Sequence, residues 1–330
     1  MFCTNETGSP ISYYTAQNST DEARWIVSEI KASGKPYSDF AVIYRTNVQS
    51  RLIEQELTKA GVGYTIFGSQ SFYTRKEVRD LIAYCKAVIN PNDEEAFRRV
   101  LGTLKGVGKV TINNMVNNAR AKGLNMHCAI KSYANSASLS SSVRVRLSRV
   151  DGILNHTYTK CSDIINDVLF LTEYRTELRA VQTEETIEKL AIIDEFEEMV
   201  KTMEANNKDQ SMVETIDQIS TLSDAKGAEK EQLNAVKLMT AHASKGLEFE
   251  NVFIIGTEEG SFPHANAINT HKSEAIEEER RLFYVAMTRA KKHLYITNAK
   301  RIGNISDGFT FARPSRFIKE IPSNLIEEAF

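Results

Sequence analysis

The sequence predicts an α/β fold: a parallel sheet assembled from the first and last thirds of the chain and interrupted by an all-helical insert. Three observations carry this. Residues 11 to 100 alternate short apolar runs with amphipathic ones, strand-like runs vanish from about Asp93 to about Asn234, and they return at Ala235. The limits that follow are 1–95 with 235–330 for the α/β part and 96–234 for the insert.

Taken in order, ISYYTA from Ile11 reads as a short strand, and DEARWIVSEIKASG as a helix opened by an acidic cap near Asp21 and closed by Gly34. DFAVIYR is a buried apolar strand. NVQSRLIEQELTKAG is a helix with Leu52, Ile53 and Leu57 on its apolar side, ended by Gly61. YTIFG is a third strand and RKEVRDLIAYCKAVIN a helix stopped by Pro91. Alternation with short connections favours parallel pairing. The polar middle carries helical periodicity in VRVRLSRVDGILNHTY, CSDIINDVLFLTEY and EETIEKLAIIDEFEEMV, with EANNKDQ and SDAKGAEKEQ as solvated loops. VKLMTAH, VFIIGTE and HLYITNA then restore strands, and a charged helix, EAIEEERRLFYVAMTRAKK, lies between the last two. PSRFIKEIPSNLIEEAF reads as a short helix framed by Pro314 and Pro322.

Composition narrows the function classes. Hydrophobic residues at 42% and charged residues at 25% describe an ordinary folded chain, which excludes disorder, collagen-like repeats and a disulfide scaffold. A length of 330 residues is a prior for two domains. Lys and Arg number 41 against 43 Asp and Glu, so any nucleic-acid surface must be a local basic groove rather than a basic chain. Cys3, Cys85, Cys128 and Cys161 form no C-x-x-C pair, which argues against structural zinc and for reduced thiols. Neither an apolar run of about 18 residues nor a signal-peptide pattern is present, so a soluble, cytoplasmic protein is expected.

Three segments carry chemistry. In VKLMTAHASKGLEFENVFIIGTEEGSFPH a strand, a polar loop and a second strand follow one another, and loops at the carboxyl edge of a parallel sheet are where phosphates and nucleic acids are gripped. Thr240, His242, Ser244 and Lys245 supply donors, Gly246 permits close backbone approach, and the Glu248 carboxylate suits a ribose hydroxyl. In EEERRLFYVAMTRAKK a helix places Arg281, Tyr284 and the turn around Arg289 at the end of an apolar face, where an arginine fork can reach a phosphate. A solvated charged helix is an equal reading of that segment alone. In FAVIYRTNVQSRLIEQEL, Tyr44 and Arg45 leave a strand together, an aromatic face beside a cation that suits a purine and its phosphates. Packing plus a surface charge is the plainer alternative.

Together, in this order, these segments resemble the C-terminal half of the UvrD/PcrA/Rep family of superfamily 1 DNA helicases. YRTNVQSR is similar to helicase motif IV, FYTRKEVRD to motif IVa, LMTAHASKGLEFENVFIIGTEEGSFPH to motif V with its extension, and EEERRLFYVAMTRAKKHLYIT to motif VI. The resemblance implies a RecA-like domain of the P-loop NTPase type, called 2A, interrupted by a helical domain called 2B. It further implies that Tyr44 stacks on adenine, that Arg45 and Arg289 contact the γ-phosphate of ATP, and that Glu248 holds the ribose beside Gly246. Arg289 would be the arginine finger. Arg75, Thr240, His242 and His264 would line a single-stranded DNA groove, and Lys105 and Lys109, in a segment similar to one near duplex DNA, would contact the duplex. No metal ligand is assigned to this chain.

Two strings imitate the missing half of an ATP site. GTLKGVGKV from Gly102 has one residue too many for G-x-x-x-x-G-K-[ST] and ends in Val110, so it is no P-loop. AIIDEFEEM mimics an acidic strand, but Leu190, Ile193, Phe196 and Val200 recur at helical spacing, which places Asp194 and Glu195 in a helix of the insert. The phosphate-binding lysine and the ligands of Mg²⁺ are therefore expected on an N-terminal half, 1A/1B, that this sequence lacks. AKRIGN also departs from the family segment R-[LI]-[FY]-G, since Ile302 replaces an aromatic that Phe309 or Phe311 would have to supply. The expected function is the motor half of an ATP-dependent 3′ to 5′ DNA helicase, with a stand-alone DNA-binding or regulatory module as the alternative.

Overall fold

A computed structural model of the chain describes residues 8–68, 71–181, 183–207, 209–224, 234–304 and 308–329. In chain order, β1 (Ile11–Ala16), α1 (Ser19–Ala32), β2 (Phe40–Tyr44), α2 (Ser50–Lys59) and β3 (Tyr64–Phe67) come first. Nine helices follow among the described residues: α3 (Lys76–Ile89), α4 (Glu94–Gly102), α5 (Lys109–Ala121), α6 (Met126–Ala134), α7 (Ser141–Leu154), α8 (Cys161–Leu171), α9 (Tyr174–Ala180), α10 (Glu184–Asn206) and α11 (Met212–Asp224). The chain then runs through β4 (Val236–Thr240), β5 (Phe249–Ile254), α12 (Ala265–Asn269), α13 (Ser273–Met287), β6 (Ala290–Ala299), β7 (Arg301–Asn304), β8 (Gly308–Phe311) and β9 (Ile326–Glu328).

Seven strands form one parallel sheet in the order β3-β4-β2-β5-β6-β1-β9. The middle of the sheet joins strands from the two ends of the sequence, with Ile43 level with Met239 on one side and Ile254 on the other. Successive side chains of β2 point to opposite faces. Phe40, Val42 and Tyr44 pack with Ile26, Ile30, Ile53 and Leu57 of α1 and α2. Ala41 and Ile43 pack with Leu282, Phe283 and Ala286 of α13 on the other face. Burial on both sides explains why the strand reads as an unbroken apolar run.

The described residues group into two compact units, those of Met1–Phe72 with Ala228–Phe330, and those of Tyr73–Gly227. The first holds the sheet. The second is all-helical, and α3, expected in the α/β part, belongs to it: Val78, Leu81 and Cys85 are buried on a helix that packs against α4, α8, α10 and α11. The split thus falls at Phe72 and Tyr73 rather than near residue 95. Asp194 and Glu195 lie inside α10, and Asp194 pairs with Arg175 at 2.5 Å. GTLKGVGKV joins the end of α4 to the start of α5.

Other departures are local. The cap of α1 is Asn18, whose side chain accepts from the Asp21 N–H at 2.9 Å. The charged helix stops at Met287, and Ala290 already starts β6 because it pairs with Phe249. The closing segment is a 3₁₀ turn at Arg316–Glu320 followed by β9, which adds to the sheet edge through Ile11 and Ile326. β7 and β8 pair antiparallel with each other, Arg301 level with Phe311. There Phe311 is exposed with the Arg301 guanidinium 5.3 Å from its ring centre. The Phe309 side chain and most of SDAKGAEKEQ lie outside the described residues. Among the described residues, no helix is long and apolar enough to cross a membrane.

Phe253 anchors the α1 face of the sheet, fully buried, stacked on Tyr295 at 4.3 Å and edge-on to Trp25 at 6.3 Å. Trp25 is the single tryptophan of the sequence, so its fluorescence follows this unit. Phe253→Ala should cost about 3–5 kcal/mol and lower the denaturant midpoint of that fluorescence transition.

Candidate functional site

The carboxyl ends of β4, β2 and β5 lie side by side, so the segments leaving them gather on one edge. Arg45 leaves β2, Thr240 and His242 leave β4, and Gly256 to His264 leave β5. Tyr44, expected to face a purine, is fully buried instead, on the α1/α2 face with Phe40 and Val42. Strand alternation puts it there, so no ring face is open to a base.

The same alternation turns Arg45 toward α13. Its Nε lies 3.1 and 2.9 Å from the two carboxylate oxygens of Glu279, and its Nη2 lies 2.6 Å from Oε1. Glu279 also accepts the His264 backbone N–H at 2.9 Å. Burial alone would raise the Glu279 carboxyl. The hydrogen bonds from Arg45 and His264 and the guanidinium charge outweigh it and hold the pKa below its ordinary value. The backbone is held as well, because Gln49 Oε1 accepts the N–H groups of Arg45 and Thr46, each at 2.9 Å.

The loop after β4 crosses to the amino end of β5. Ser244, expected as a donor to a ligand, is fully buried and donates to the Ala241 carbonyl at 2.7 Å. His242, Lys245, Gly246 and Glu248 are exposed. Gly246 has φ +85 and open space where a Cβ would sit, so glycine serves the left-handed backbone there rather than a close approach. Glu248 and Arg289 immediately precede the paired residues Phe249 and Ala290, at the amino ends of β5 and β6. Arg289 folds back on the protein: Nε donates to the Val285 carbonyl at 2.8 Å, Nη1 to the Leu247 carbonyl at 3.0 Å and Nη2 to the Thr288 hydroxyl at 2.9 Å. Arg45 and Arg289 are thus anchored on different turns of α13, at Glu279 and at Val285, roughly 9 Å of helix rise apart.

The loop after β5 is pinned by two more buried carboxylates that sequence reasoning passed over. Glu22 of α1 accepts the Gly256 N–H at 3.0 Å and the Thr297 hydroxyl at 2.5 Å, and Glu258 accepts the Ala299 N–H at 2.5 Å. Gly256, at φ +62, also lets Gln49 pass, since a Cβ there would sit 2.0 Å from Gln49 Nε2. Burial pushes Glu258 up to about 8, helped by the charge of Glu22, and burial raises Glu22 in turn.

The remaining candidates belong to the helical unit. Arg75 stands at the start of α3 with its guanidinium 3.3 Å from Glu188. Lys105 is exposed and paired with Glu177 at 2.8 Å, while Lys109 opens α5 in solvent. Among the described residues, no group of three or more His, Cys, Asp or Glu is placed to hold a metal.

A profile of the UvrD-like helicase C-terminal domain matches residues 2–301. The chain belongs to that family. It is 37% identical to the ATP-dependent DNA helicases PcrA of Staphylococcus epidermidis and of Bacillus subtilis strain 168, in each case over 99% of this chain and 46% of the relative. The PcrA of Staphylococcus aureus strain Mu50 is 36% identical over the same shares. The chain therefore spans about half the length of these relatives.

As a UvrD-like C-terminal domain the chain combines segments similar to motifs IV, V and VI around α13, and Glu279 is the link between them that the motif pattern did not single out. It is one of three consecutive glutamates, and the spacing marks it: Ile276, Leu282, Phe283 and Ala286 lie three, three, four and seven positions away, so Glu279 shares the buried side of the helix. The buried pair Glu22 and Glu258 has a measurable consequence. Between about pH 4.5 and 8 the folded protein retains protons that the unfolded chain has released, so stability falls as pH rises through that window. Glu258→Gln should flatten this slope and melt above wild type beyond about pH 8. Parallel melting curves across the window would contradict it.

Proposed function

We propose that this chain is the C-terminal motor half of an ATP-dependent DNA helicase moving 3′ to 5′ on single-stranded DNA. In this reading the α/β unit is the 2A domain and the helical unit the 2B domain. The observation that carries it is that Arg45 and Arg289, from two separate motifs, lie along one helix, each held by acceptors a phosphate can replace. A planar guanidinium exchanges a carboxylate or carbonyl for phosphate oxygens without changing its geometry.

ATP with Mg²⁺ supplies the phosphoryl group passed to water. Arg289 acts as the arginine finger, neutralising charge that develops on that group, and Arg45 adds a second positive charge. Glu248, exposed beside Gly246, accepts a ribose hydroxyl. Tyr44 takes no part in the nucleotide contacts. The P-loop lysine, the Mg²⁺ ligands and the water-orienting carboxylate belong to an N-terminal 1A/1B half, in keeping with the 46% share of the relatives that this chain covers. In the α/β unit, Thr240, His242 and His264 are assigned to single-stranded DNA; in the helical unit, taken by itself, Arg75 is assigned to the same ligand after exchange from Glu188. Such contacts to phosphates and stacked bases tolerate any sequence. Gripping and releasing the nucleotide closes and reopens the cleft between the two motor domains.

The test is reconstitution. Mixed with the N-terminal half of a PcrA relative, the chain should give ATP hydrolysis stimulated by single-stranded DNA, while alone it should hydrolyse ATP at background. Arg289→Ala in the mixture should lower kcat about a thousandfold or more. Absence of stimulation would favour a stand-alone DNA-binding or regulatory module, and turnover by the isolated chain would overturn the division of labour.

Lys105 and Lys109 are assigned to duplex DNA. Reversing both to Glu should weaken duplex binding and reduce the salt dependence of affinity by about two charges. Unchanged duplex affinity in a salt titration would remove this contact.

A further inference from the structure

Glu279 is an unusual place to bury a charge. It takes two N–H groups of Arg45 at 2.6 to 3.1 Å and the backbone N–H of His264 at 2.9 Å, and the residue is 6% exposed. One carboxylate thereby joins the residue assigned to a nucleotide phosphate with the loop assigned to DNA. His264 is also the residue from which α12 starts, its side chain capping the Asn266 N–H at 3.2 Å. The other end of the same loop is fixed independently by Glu22 at Gly256 and by Glu258 at Ala299. Only the His264 end therefore shares its anchor with a group that the nucleotide would claim.

We propose that Glu279 is the positioning residue that couples the phosphate contact of Arg45 to the setting of the His264 loop. Without nucleotide, Glu279 holds both. When the Arg45 guanidinium transfers to a phosphate, Glu279 loses its counter-charge while buried, and its remaining contact, the His264 N–H, must tighten, shift or admit water. A buried carboxylate stripped of its partner is strongly destabilised, so the two contacts cannot vary independently. Ligands that bias one two-state element are coupled reciprocally. The proposal rests on the assignment of Arg45 to nucleotide and of His264 to single-stranded DNA.

The experiment uses the chain reconstituted with the N-terminal half of a PcrA relative. Binding of an oligo-dT strand is measured with and without a non-hydrolysable ATP analogue, in wild type and in Glu279→Gln. Wild type should show a change in DNA affinity on adding nucleotide, within the roughly 5- to 150-fold range typical of such coupling. In Glu279→Gln the change should shrink below about twofold. Because the variant removes the charge that competes for Arg45, it should bind the analogue alone as tightly as wild type or more tightly, whereas simple damage to the fold would weaken it. Glu279→Asp, which keeps the charge, should restore part of the coupling. Independently of any variant, hydrogen exchange at the His264 amide in wild type should change when the analogue binds.

Undiminished coupling in Glu279→Gln, or His264 protection that ignores nucleotide, overturns the proposal alone. So does weaker analogue binding together with a lowered melting temperature in Glu279→Gln, because that is the signature of a structural staple. If the wild-type pair binds neither analogue nor DNA, the proposal falls together with the reading beneath it.

Discussion

β2 lies between β4 and β5, so the centre of the sheet exists only when residues near position 42 meet residues near 238 and 253. This pairing is the constraint on which the rest of the α/β unit depends. Both faces of β2 are buried, and neither can be covered until the C-terminal strands have arrived. The intervening helices thus form a loop whose ends must be brought together before the central ladder yields any stability. The entropic cost of that closure grows only slowly with length, so a helical unit of this size is tolerated there. A sheet built from such distant partners has high contact order and is expected to fold slowly.

Parallel pairing also determines where chemistry can gather. All seven strands of the main sheet point the same way, so the segments following β2, β4 and β5 emerge on one edge, and the starts of β5 and β6 lie on the other. α13 runs between these edges, which is how Arg45 at one end and Arg289 at the other come to rest on one helix. Three buried carboxylates, Glu22, Glu258 and Glu279, then hold the loop after β5 through backbone N–H groups. Each costs desolvation, and they meet it differently. Glu279 stays charged against a guanidinium, while Glu22 and Glu258, without such a partner nearby, are driven toward the protonated form. One loop is therefore secured by a contact sensitive to charge exchange at one end and by contacts sensitive to protonation at the other.

Much of this was legible in the residues. Apolar runs at Ile11, Phe40, Val236 and Val252 fell in strands, the last of them starting three residues earlier at Phe249, the middle became helices, and the decoy at Asp194 proved helical as its spacing required. Other features were not legible for definite reasons. β9 forms because β1 offers a free edge, and the backbone of Ile326 to Glu328 pairs there without any side-chain signature. The helix α3 sits with the helices because its buried face matches theirs, a preference that an amphipathic pattern does not disclose.

The sequence by itself determined the order of elements, the helical interruption and the family, because periodicity and motif strings are local properties of the chain. Only the tertiary structure decided which side chains within those motifs are available. Tyr44 and Arg45 are neighbours, yet a strand sends one into the α1/α2 core and the other to Glu279. Glu279 is buried while Glu277 and Glu278 stay in solvent because it shares the side of α13 that carries Leu282, Phe283 and Ala286 into the core, and only the packing brings Arg45 to meet it there. Availability depends on what packs opposite, and residues that pack opposite one another here lie more than two hundred positions apart in the chain.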